Sequence, residues 1–115
     1  YMMEAEQLCH KVAIINKGKI IAIGSPKKLK EKLRRRNVVE MDVRNFSQII
    51  LEKIKKIEGV EGVSFNERSS EIRIILQDLG YLNDVLALLR KNKVKFFSIH
   101  TEEPTLEDVF IYLTR

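Results

Sequence analysis

Residues 38–99 predict an α+β fold, on three observations. Apolar side chains alternate with polar ones at 39–43, and Ile72, Ile74 and Leu76 alternate with Arg73, Ile75 and Gln77, the period of a strand. Ile50, Ile54 and Ile57, and then Leu82, Val85, Leu86 and Leu89, recur at helical spacing. Gly59, the polar run 66–70 and Asn92 punctuate these stretches. The resulting order is strand, helix, strand, strand, helix, strand. Two split βαβ halves of this kind close into a ferredoxin-like sandwich, a four-stranded antiparallel sheet with both helices on one face.

Each element has a local reason. Residues 3–8 read as the tail of a helix, with Ala5, Leu8 and either Met2 or Cys9 turned inward. The apolar runs 12–15 and 20–23 flank Asn16-Lys17-Gly18-Lys19, and Gly18 supplies the positive φ of a short hairpin turn with a bulge. Neither run alternates with polar residues, so both hairpin faces are expected to be buried. Ser25 caps a further helix and Pro26 takes its first turn, where a missing N–H costs nothing. Leu29 and Leu33 give that helix an apolar stripe, and Arg34, Arg35 and Arg36 suit the negative end of its dipole. A domain boundary is expected near Asn37, dividing the chain into 1–36 and 37–115.

In the second part Val39, Met41 and Val43 face inward on the first strand. Ser47 caps the first helix and Gly59 stops it. Val63 and Phe65 open the second strand, Ile72, Ile74 and Leu76 line the third, and residues 94–99 form the fourth. Thr105 to Asp108 is a capping-box pattern that starts an extra C-terminal helix with Leu106, Val109, Phe110 and Leu113 on one side.

One domain is the natural prior for 115 residues with 44% hydrophobic content, and no apolar run approaches the roughly 20 residues of a membrane span. Cys9 is the single cysteine, which excludes an internal disulfide and fits a reducing compartment. Net charge is +5, yet residues 27–36 carry seven cations against Glu31, so this run is +6 and the rest of the chain −1. Such a run reads as a solvated helix face, as an attraction for anionic lipid, or as a weak nucleic-acid patch without aromatics for stacking.

Candidate chemistry is sparse. Cys9, His10 and His100 are too few for a metal site built on thiols and imidazoles, and no metal is expected. The residues read instead as a small buried thiol and two surface imidazoles. Glu102, Glu103, Glu107 and Asp108 read as helix capping rather than as an acid–base pair. No G-x-x-x-x-G-K-[ST] phosphate loop occurs.

Two stretches carry a family resemblance. YMMEAEQLCHKVAII at 1–15, GKIIA at 18–22 and GSP at 24–26 resemble the end of the ATP-binding subunit of an ABC transporter. Met3 and His10 depart from it, standing where that family usually has acids. PTLEDVFIYLT at 104–114, with Pro104, Leu106, Glu107, Asp108, Val109 and Phe110, resembles the closing motif of the same subunits in drug- and antibiotic-efflux exporters of the daunorubicin-resistance type. The resemblance implies that the hairpin and basic helix end an ATPase domain, and that an accessory domain follows. By the same resemblance the switch histidine, phosphate loop, signature motif and magnesium-binding acid would precede Tyr1. The chain is then expected to be a non-catalytic fragment needing no cofactor, within a parent that uses ATP and magnesium.

Further expectations follow from this. The accessory domain regulates or stabilises an ATPase dimer. Partners are the rest of the ATPase domain, a second ATPase subunit and a membrane permease, so the location is cytoplasmic and peripheral to the membrane. Val12, Ile14, Ile15, Ile20, Ile21 and Ile23 are the candidate interface, and through them the isolated chain is expected to self-associate. Two alternatives stand beside this. A stand-alone module binding a small effector at a dimer interface calls for a Gly-rich loop, which Arg44-Asn45-Phe46-Ser47 lacks. A nucleic-acid binder calls for exposed aromatics on the sheet, where Phe65 is the one candidate, and no specific nucleic-acid partner is expected.

Overall fold

The computed structural model describes residues 2–115, with side chains from residue 4 onward. The inward placement expected of Met2 lies outside the described residues. The chain forms two compact units: Tyr1–Arg35 with Glu103–Arg115, and Arg36–Glu102.

The first unit begins with α1 (Met2–Leu8), followed by the hairpin strands β1 (Val12–Asn16) and β2 (Lys19–Gly24). Asn16 pairs with Lys19, leaving a two-residue turn in which Lys17 and Gly18 both have positive φ. That turn matches the right-handed twist of the strands, which is why Gly18 matters. The bulge lies within the ladder, between Ile14 and Ile15, and not at the turn. The short α2 (Pro26–Lys30) is capped as expected, the Lys28 amide donating to Ser25 Oγ at 3.2 Å. It gives way to a 3-10 turn at Glu31–Leu33 that Arg34 caps, so the α-helix stops short of the three arginines. Leu29 and Leu33 are buried as their spacing required.

The second unit has the ferredoxin-like order. Its elements are β3 (Asn37–Arg44), α3 (Gln48–Lys55), β4 (Val60–Asn66), β5 (Glu71–Leu76), α4 (Leu82–Lys91) and β6 (Lys95–Glu102). The sheet runs β4-β5-β3-β6 and every neighbouring pair is antiparallel. Val39, Met41, Val43, Val63, Ile72, Ile74 and Leu76 from the sheet meet Ile50, Leu51, Ile54, Val85 and Leu89 from the helices in one core. Both helices therefore cover the same face. Phe65 packs against this core and against Phe46, ring centroids 4.8 Å apart with the planes tilted by 45°, so it stands on the helix side of the sheet and not on the face a nucleic-acid reader would use. α3 stops earlier than expected, with Lys56 as its C-cap, and Gly59 lies beyond it in the turn into β4. There Gly59 has φ +86° and a Cβ would run into the Tyr81 ring, so two independent demands fix a glycine. Asn37 opens β3 instead of breaking the chain.

α5 (Leu106–Leu113) closes the chain and belongs by its contacts to the first unit, beside α1 and α2. Its capping box is complete: the Asp108 amide donates to Thr105 Oγ1 at 3.2 Å, and the Thr105 amide to Asp108 Oδ2 at 2.9 Å. Leu106 and Val109 are buried. The sequence grouped this helix with the accessory domain because it follows that domain in the chain. Its apolar stripe meets α1 and α2 instead.

Candidate functional site

Glu6 ties the first unit together. One carboxylate oxygen accepts from Lys30 Nζ on α2 at 2.9 Å and the other from the Leu106 amide at the start of α5, also at 2.9 Å. The second bond satisfies one of the orphan N–H groups of a helix N-terminus with a favourable charge. Three elements distant in sequence thus converge on one side chain that the sequence did not single out. Residues 4–8 show no pattern to signal it.

Above this junction lies an apolar groove of about 260 Å³ lined by Ala5, Val12, Ala13, Ile14, Ile15, Leu106 and Phe110. The six hairpin residues expected at an interface divide sharply. Ile14 is 3% exposed and Val12 is half-buried. Ile15, Ile20 and Ile23 are 60%, 62% and 57% exposed, and Ile21 is 38% exposed. Ile15 and Ile20 are cross-strand partners, so their side chains form one outward apolar pair. Leu8 is 77% exposed and Cys9 is exposed, against the expectation that either turned inward. β1 and β2 form a sheet of two strands, which leaves an open edge on each.

Of the closing-motif residues, Leu106, Asp108 and Val109 are buried, Pro104 and Phe110 are half-buried, and Glu107 is exposed. They serve packing and capping within the unit, with Phe110 reaching the groove.

A second constellation lies on the sheet face away from the helices. Glu40 on β3 accepts from Arg73 Nη1 on β5 at 2.8 Å, and its other oxygen is 3.3 Å from His100 Nε2 on β6. Glu102 Oε1 is 3.9 Å from the same nitrogen. His100 Nδ1 is 2.8 Å from the Ser98 carbonyl. That carbonyl first, then the charges of Glu102 and Glu40, raise the imidazole pKa above its ordinary value, with desolvation opposing them. The arrangement depends on a bulge. Asp42 pairs with Phe97 and Glu40 with His100, so β6 spends one extra residue opposite Met41, and Ser98 takes φ +54°. Strict alternation would have set Ile99 opposite Glu40. His10 is exposed and takes no part in this cluster.

No described helix is long and apolar enough to cross a membrane.

Residues 24–114 match the family of ATP-binding protein DrrA1-3-like, C-terminal domain. The linearmycin resistance ATP-binding protein LnrL of Bacillus subtilis is 29% identical over 117 residues, covering 99% of this chain and 37% of that protein. ABC transporter A family member 3 of Arabidopsis thaliana is 32% identical over 125 residues, covering 99% of this chain and 13% of its own length. The ABC-type organic anion transporter ABCA8B of Mus musculus is 30% identical over 122 residues, 100% of this chain and 7% of its own. The chain thus spans little more than a third, or less, of the curated relatives it matches. It belongs to the DrrA1-3-like C-terminal domain family of ABC transporter ATP-binding proteins.

Proposed function

We propose that the chain acts as the C-terminal part of an ATP-hydrolysing subunit of an ABC exporter, and that the unit Arg36–Glu102 regulates or stabilises the ATPase dimer. The role of Arg36–Glu102 rests on the family resemblance. The observation that carries the first of these readings is the outward apolar pair Ile15–Ile20 on a hairpin with two open edges, beside an apolar groove, in the first unit. Such a surface is complete only when further strands and side chains cover it. The rest of the ATPase domain is the occupant that the family supplies, and the relatives' greater length gives room for it. ATP and magnesium then belong to that domain, and this chain has no phosphate loop of its own. A second ATPase subunit and a membrane permease complete the assembly, which places the protein on the cytoplasmic side of a membrane without inserting into it. The cargo class follows the relatives' names in two directions, an antibiotic in one and organic anions in another. The closing motif of drug-efflux subunits favours the antibiotic-like cargo.

The test compares the complete protein with a version in which a Gly/Ser linker replaces Arg36–Glu102, leaving the first unit whole. Both are expected to hydrolyse ATP, with ATP-dependent dimerisation several-fold weaker in the deletion. The isolated chain is expected to release no phosphate above background. Equal dimerisation of the two versions would remove the regulatory role, and magnesium-dependent turnover by the chain alone would remove the non-catalytic one.

A further inference from the structure

We infer that Glu40, His100 and Glu102 form a binding site for a divalent transition-metal cation, with zinc the best chemical fit. The inference is independent of the proposed function.

The donor atoms are already gathered, one from each side chain and all within 4.8 Å of one another. A tetrahedral zinc with bonds of about 2.1 Å puts its ligand atoms roughly 3.4 Å apart. His100 Nε2 to Glu40 Oε1 is 3.3 Å, which fits as it stands. His100 Nε2 to Glu102 Oε1 is 3.9 Å, and Glu102 is 42% exposed with freedom to close the difference.

The imidazole presents the right nitrogen. Only an N–H donates to a carbonyl, so Nδ1 carries a proton towards Ser98 O, 2.8 Å away, and Nε2 of the neutral ring turns its lone pair to the two carboxylates. A lone pair facing two anions is repulsive unless a cation lies between them. Either a proton or a metal ion fills that role. Metal-ligating histidines commonly fix their other nitrogen on a backbone carbonyl in this way, and ligating carboxylates are themselves hydrogen-bonded. Arg73 supplies the latter, holding Glu40 Oε2 at 2.8 Å while Oε1 stays turned to His100.

The charged groups around the position are Glu40 on β3, Arg73 on β5 and Glu102 on β6. Two carboxylates with one imidazole favour a borderline cation such as zinc over magnesium, which prefers an all-oxygen shell. Water would complete the shell on the exposed side. Counting thiols and imidazoles in the sequence missed the site because two of its three ligands are carboxylates, and because the β6 bulge, which alternation does not show, brings His100 opposite Glu40.

The test is calorimetric titration of the metal-free full chain with zinc chloride at pH 7.5, alongside magnesium chloride. Cys9 is an exposed thiol, and thiolate is a zinc ligand in its own right, so the Cys9→Ser chain is titrated in parallel. One zinc per chain that persists in Cys9→Ser, weakened at least tenfold by His100→Gln and by Glu102→Gln, is the result expected. Lowering the pH to 5.5 should weaken binding by up to about a hundredfold as the proton displaces the metal. Both substituted side chains are exposed, and circular dichroism checks that each variant keeps its fold. Zinc affinity unchanged in His100→Gln, binding abolished by Cys9→Ser, or no heat at millimolar zinc would each overturn the site and leave the proton as the sole occupant.

Discussion

At the scale of single residues, the side chains that organise each unit are those that satisfy several neighbours at once. Glu6 closes a junction of three elements, and Glu40 bridges Arg73 and His100 across three adjacent strands. His100 gives a pH dependence whose sign is fixed. Its pKa is raised in the folded chain, chiefly by the Ser98 carbonyl, so the fold holds the proton more tightly than the unfolded chain does. The resulting stability is fully present below the unfolded imidazole value of about 6.5 and is lost as pH rises through the higher folded value. Thermal melts in chelator are expected to show the wild type above His100→Gln near pH 5.5–6, with the gap closing at higher pH. A gap that widens with pH would contradict the arrangement. None of this was legible in the sequence, where His100 read as a surface imidazole and Glu102 as part of a helix-capping cluster. The bulge at Ser98, a residue with no turn preference strong enough to announce it, decides the pairing.

At the scale of elements, the hairpin separates two roles that its sequence merges. The unbroken apolar runs suggested burial on both faces, yet Ile14 is buried while Ile15 and Ile20 face outward. Ile14→Asp is expected to place a charge in the unit's interior, costing more than about 3 kcal/mol and lowering the thermal midpoint. Ile15→Asp and Ile20→Asp sit on exposed positions and are expected to cost about 1 kcal/mol or less. Light scattering across a concentration series should then show the wild-type chain self-associating and the Ile15→Asp, Ile20→Asp double variant remaining monomeric. Association unaffected by the double variant would mean that another surface mediates it. The elements of the second unit were the most legible, because their strands and helices place the core residues at periods of 2 and 3.6, although Val38 and Ile75 are buried as well. The last turn of α2 was misread: Arg34, Arg35 and Arg36 suit a helix end electrostatically, but a 3-10 turn buries Leu33 before they are reached.

At the scale of the whole molecule, chain order and spatial grouping part company. The sequence divided the chain at Asn37, and the tail followed its neighbours in sequence into the second part. Contacts instead join Glu103–Arg115 to Tyr1–Arg35, because α5 finds its apolar partners and its N-terminal hydrogen bond to Glu6 there. Pattern reading has no access to that choice, since the stripe on α5 says what must be buried and not against what. The family grouping was legible for a different reason, two motifs at opposite ends of the chain agreeing on one family. The central claim is that the hairpin unit is finished only by further protein, the remainder of an ATPase domain. Amide hydrogen exchange over residues 12–24 tests this most directly, measured on the isolated chain and on the complete protein under the same conditions. Open strand edges exchange through local fraying, whereas strands within a larger sheet exchange through far rarer openings. Exchange at least tenfold slower in the complete protein is the result expected, and equal rates in the two would contradict it.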